Sequence, residues 1–76
     1  MDEEIRRFLS ALVDCGGCSA ASGLKVVCSR KQDRARQAAR KNGLVEFRTW
    51  KSHRAPRAMW HITDAGRAAL AASMST

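Results

Sequence analysis

Ser29-Arg30-Lys31-Gln32-Asp33-Arg34-Ala35-Arg36-Gln37-Ala38-Ala39-Arg40-Lys41-Asn42-Gly43 is the stretch that decides how this chain is organised. It is built almost wholly from Ala, Arg, Lys and Gln, side chains that lose little freedom on entering a helix. Ser29 stands where a side-chain oxygen can cap the first free amides, and Asn42-Gly43 offers a left-handed stop. A helix spanning 29–42 from cap to cap follows. At about 3.6 residues per turn, Ala35, Ala38 and Ala39 share one face, on which another helix can come close. Arg30, Arg34, Gln37 and Lys41 line the opposite face at i, i+4, i+7 and i+11.

The charge balance singles out the same region. The chain carries +7 overall, and between Arg30 and Arg57 there are ten Lys/Arg against two acids, Asp33 and Glu46, a local +8. Residues 1–29 contribute −1 and residues 58–76 contribute 0. Charge gathered on one segment of a small domain focuses its field there and points to a polyanionic partner.

Seventy-six residues make a single domain, 1–76, that buries only a modest core, so marginal stability or oligomerisation is expected. An apolar share of 45% argues against wholesale disorder. No stretch is long and apolar enough to cross a membrane, and Met1-Asp2-Glu3-Glu4 is acidic, unlike a signal peptide. A cytoplasmic protein with reduced thiols is expected, and three cysteines do not make a disulfide framework.

On the N-terminal side, Ile5, Phe8, Leu9, Leu12 and Val13 recur as one stripe and predict a helix over 3–14, with Asp2, Glu3 and Glu4 favoured in its first turn. Cys15-Gly16-Gly17-Cys18 ends it. Ser19 is an N-cap candidate for a short helix through Cys28, carrying Leu24, Val27 and Cys28, although Gly23 weakens it and Lys25-Val26-Val27-Cys28 also suits an extended strand. On the C-terminal side, Leu44–Trp50 and Ala58–Thr63 read as strands rich in β-branched and aromatic residues. The basic loop Lys51-Ser52-His53-Arg54-Ala55-Pro56-Arg57 joins them. Thr63 then caps a last helix over Asp64–Ser73, with Leu70 and Met74 on one side.

Helix, short helix, basic helix, strand, basic loop, strand, helix is the order of a winged helix-turn-helix domain. Lys41-Asn42-Gly43-Leu44-Val45 resembles that family's junction between recognition helix and wing. Trp60-His61-Ile62-Thr63-Asp64-Ala65-Gly66-Arg67-Ala68-Ala69-Leu70 resembles the segment after the wing in bacterial regulators of the multiple-antibiotic-resistance type. The resemblance covers roughly residues 5–70. It implies a mainly α fold with a small β-hairpin: a three-helix core, a wing and a C-terminal helix. The long terminal helices with which larger regulators dimerise and bind effectors have no counterpart, so no small-molecule effector is implied. A compact phage or mobile-element regulator suits this length.

By that resemblance, helix 29–42 enters the major groove of double-stranded DNA and wing 45–63 touches the backbone or minor groove, as in a small transcriptional regulator. Arg30, Arg34 and Gln37 are the candidates for base edges, since Arg pairs with guanine and Gln with adenine through two hydrogen bonds. Lys31, Arg36, Arg40 and Lys41 suit phosphates, and Ser29 can offer its hydroxyl and amide to one. Lys51, Arg54 and Arg57, with His53 among them, make the wing tip cationic, and Pro56 stiffens it. Trp60 is expected in the core. Trp50 is either cross-strand packing or a stacking platform, because the register of the first strand is open. A homodimer through one or both terminal helices is expected, because operators are commonly palindromic. Alternative readings are a protein-interaction module of phage-inhibitor or adaptor type using the same basic face, an excisionase-like architectural factor, and a binder of structured RNA.

Other chemistry finds less support. Cys15-Gly16-Gly17-Cys18 has zinc-knuckle spacing, with Cys28 and His53 or His61 as further candidates, but no second such pair completes a site. No metal or other cofactor is expected. There is no phosphate-binding glycine loop and no paired carboxylate in a plausible pocket, so an enzyme is not expected.

Overall fold

A computed structural model of the chain describes residues 2–20, 23–24, 26, 29–51 and 56–74, the side chains of Lys51, Pro56, Arg57 and Met74 excepted. The described residues form three helices, α1 (Glu3–Asp14), α2 (Arg30–Lys41) and α3 (Asp64–Met74). Three strands accompany them, β1 (Cys18–Ser19), β2 (Val45–Lys51) and β3 (Pro56–Ile62). The strands form one antiparallel sheet in the order β1-β3-β2.

α1 and α2 begin and end by the same local chemistry. The Asp2 carboxylate accepts from the Glu4 amide at 2.8 Å, and the Ser29 hydroxyl accepts from the Gln32 amide at 3.2 Å. At the far end of α1, Gly17 N–H reaches Leu12 C=O at 2.8 Å and Gly16 N–H reaches Val13 C=O at 2.9 Å. α2 repeats this pair of bonds, Leu44 to Ala39 at 2.9 Å and Gly43 to Arg40 at 3.1 Å. The closure needs a left-handed residue after the helix, and Gly43 takes it at φ +75°.

The chain turns at Gly16-Gly17 into β1, whose Cys18 and Ser19 pair with His61 and Trp60 of β3. This corrects two expectations. Ser19 is a buried strand residue whose hydroxyl donates to Ala20 C=O. The sheet also has three strands rather than a hairpin alone. A two-residue strand has no periodicity of its own, and its pairing with β3 is a long-range contact. Of the expected short helix, Leu24 is buried and Gly23 N–H bonds Ala20 C=O at 3.0 Å. Val27 and Cys28 lie outside the described residues.

β2 and β3 pair from Val45–Ile62 to Lys51–Pro56, so the hairpin runs beyond the expected strand ends and Pro56 opens β3. Proline is tolerated at the first residue of a strand. Inward residues of the sheet meet the stripe of α1. Phe8, Leu9 and Leu12 are fully buried, with Trp60 and Val45 nearly so. Trp60 stands edge-on to Phe8 at 5.3 Å and 89°, and tilted against Phe47 at 4.7 Å. Such aromatic contacts add to the burial of the rings themselves. Trp60 is therefore core, as its place in the sequence suggests. The apolar stripe of α1 is consumed by this core, and only Val13 of it is substantially exposed. No helix among the described residues is long and apolar enough to cross a membrane.

Candidate nucleic-acid interface

α2 is held from beneath by alanine and by a polar network. Ala35 and Ala39 are buried and Ala38 is half-buried, as the helical periodicity requires. Gln32 is fully buried beside them. Its amide nitrogen donates to Glu4 Oε2 at 2.9 Å and to the Glu4 carbonyl at 3.3 Å, which ties α2 to the first turn of α1. Its amide oxygen accepts from Arg36 Nε at 3.3 Å.

Arg36 is the correction on this helix. It was expected on the phosphate-facing surface, yet it is only 5% exposed, and its guanidinium lies 5.3 Å from the centre of the Phe8 ring. Position 36 lies next to Ala35 and one turn from Gln32 and Ala39, so the inward arc of the helix includes it. Ring face and amide oxygen together replace the water that the cation gives up. Gln32 was missed for a related reason: a glutamine between a lysine and an aspartate reads as surface. Among the described residues no buried side-chain polar atom lacks a partner.

The outward face of α2 carries Arg30, Lys31, Arg34, Gln37, Arg40 and Lys41, all exposed, with the capping Ser29 at its start. None of its five cations is ion-paired with a described residue, whereas Arg6 and Arg7 pair with Glu3 and Glu4, and Arg48 pairs with Glu46 at 2.6 Å. Asp33 is the one acid of α2. Arg40 leans its guanidinium to 5.6 Å from the Phe47 ring centre, which brings the C-terminal half of α2 against β2.

The end of α2 is bolted to the start of α3. Thr63 Oγ1 donates to Gly43 C=O at 2.6 Å and accepts from Gly66 N–H at 3.0 Å, so one hydroxyl caps α3 and ties it to the α2 stop. Thr63 N–H bonds Leu44 C=O at 3.0 Å. Gly66 lies so close to Leu44 that a Cβ there would overlap its carbonyl oxygen. Gly43-Leu44 and Thr63–Gly66, about twenty residues apart in sequence, thus form one joint.

Lys51 ends β2, and Arg57 is the second residue of β3. Arg54 and His53, expected at the wing tip, lie outside the described residues. Trp50 is 42% exposed. Among the described residues no group of three or more His, Cys, Asp or Glu is placed to hold a metal. Cys15 is an exposed thiol 3.7 Å from Gly23 C=O, and Cys18 is a half-buried thiol in β1. Comparison with known protein families, with characterised proteins and with solved structures finds no match.

Proposed function

We propose that this chain binds double-stranded DNA as a small transcriptional regulator with a winged helix-turn-helix arrangement. α2 lies in the major groove and the β2–β3 hairpin serves as the wing. The observation that carries the reading is the outward face of α2: five exposed cations with no ion-pair partner among the described residues, interspersed with Gln37, on a helix seated against α1. A helix fits the major groove, and a seated helix keeps its side chains in register with base edges. Arg30, Arg34 and Gln37 meet bases, and Lys31, Arg40 and Lys41 meet phosphates. Arg36 is left out of the contact set, since it is buried.

The joint between Gly43-Leu44 and Thr63–Gly66 supports the same reading, because it fixes the end of α2 to the start of α3, where the hairpin between them begins and ends. Two copies on a two-half-site operator belong to the proposal as well. With the α1 stripe buried, α1 offers that contact chiefly Val13.

Titration of duplex DNA across a salt series tests the proposal. With five to eight phosphates engaged, the slope of log K against log salt should be about −4 to −7. A flat response, or no duplex binding at low salt, would favour an acidic protein partner for the same face.

A further inference from the structure

Trp50 is the largest side chain that the proposed interface leaves without a task. Among the described residues only Val13 and Trp50 are large apolar side chains this open, and Trp50 is 42% exposed. Val45 and Phe47 mark the inward face of β2, so Glu46, Arg48 and Trp50 occupy the outward one. The register sets Arg57 opposite Trp50 and Met59 opposite Arg48. These four residues hold adjacent positions on one face of the hairpin, near its free end. From Arg48 to Arg57 the chain contains four Lys/Arg and no acid, and Arg48 pairs with Glu46.

An indole at the centre of a cationic hairpin needs a partner that is anionic at its edges and apolar within. A DNA duplex offers that profile at an opened base step, with phosphates along both rims of the groove and the apolar faces of the bases within. Two-stranded ribbons enter grooves, and apolar wedges flanked by cations open base steps from the minor-groove side. We propose that Trp50 is such a wedge: the hairpin presses it against a minor-groove base step, unstacks that step in part, and bends the duplex. Pyrimidine–purine steps yield most easily, so the wedge selects TA or CA steps that no side chain reads directly. The proposal rests on the DNA-binding reading and adds to it a contact residue and a deformation.

Acrylamide quenching of tryptophan emission in the wild-type protein tests it without any substitution. Trp60 is 6% exposed and serves as the protected reference, so the accessible emission belongs to Trp50. On a short duplex with a central TA step, the accessible class should disappear. Energy transfer between dyes on the duplex ends should report a bend of roughly 20–90°. Trp50→Ala should melt with the wild type, bind on the order of tenfold more weakly, and leave the duplex straight. Wild-type duplex binding with Trp50 still open to acrylamide would overturn the wedge and leave the DNA-binding reading intact. So would a Trp50→Ala protein that bends the duplex as the wild type does. Loss of the accessible class on raising protein concentration without DNA would overturn it in favour of a contact between copies. Absence of duplex binding by the wild type would sink the DNA-binding reading itself, and the wedge with it.

Discussion

Replacing Arg36 with alanine separates a core cation from a binding cation. In the folded chain Arg36 Nε donates to the buried Gln32 amide oxygen, and its guanidinium covers the Phe8 ring. Truncation leaves that oxygen unpaired at a fully buried site, which costs about 1–3 kcal/mol. It also removes a partly desolvated cation–π contact of about 0.5–2 kcal/mol. Relief of the buried charge offsets part of this, so a net loss of about 1–4 kcal/mol is expected. For a domain of this size each kcal/mol moves the melting temperature by about 4–8 °C, so Arg36→Ala should melt roughly 5–30 °C below the wild type. Arg34→Ala, on the exposed face, should stay within about 0.5 kcal/mol. Replacing both partners, Gln32→Leu with Arg36→Met, should cost less than the sum of the two changes, because no buried polar atom is then stranded and the half-exposed Glu4 carboxylate can turn to water. Thermal unfolding followed by circular dichroism measures these proteins and the single variants Gln32→Leu and Arg36→Met. An Arg36→Ala protein that melts with the wild type, and whose DNA-binding salt slope falls by about one unit, would refute the reasoning. Arg36 would then be a phosphate contact and the buried network would not exist.

Two further outcomes follow from the same geometry. Gly66→Ala should destabilise the fold by at least about 2 kcal/mol in urea unfolding, although alanine is the better helix former by about 1 kcal/mol, because its methyl group would overlap the Leu44 carbonyl. A neutral or stabilising Gly66→Ala would show that α3 does not close on the end of α2. Arg34→Ala and Gln37→Ala should each cost about 1–3 kcal/mol on a preferred duplex and much less on random DNA, whereas Arg54→Ala and Arg57→Ala should weaken both alike and lower the salt slope by about one unit each. Equal losses on both duplexes for Arg34 and Gln37 would exclude α2 as the reading element.

Sequence alone determined the elements whose signals are local. The Phe8–Leu12 stripe, the alanine face of α2, the caps at Ser29 and Thr63, and the Gly43 stop act within one or two turns of backbone, so neighbouring residues are enough to reveal them. The exposed cationic line Arg30, Arg34 and Lys41 is legible for the same reason. Tertiary structure decided the rest. Cys18-Ser19 becomes a strand only because His61 and Trp60 come to lie beside it. Trp50 faces outward because the register Trp50–Arg57 sets it so. Arg36 leaves the solvent because Phe8 and Gln32 stand where its guanidinium can be satisfied. Each of these depends on a partner distant in the chain, or on which arc of a helix a neighbouring element covers. Composition and periodicity carry neither, since whether a polar side chain can be buried depends on the partners that only the assembled fold supplies.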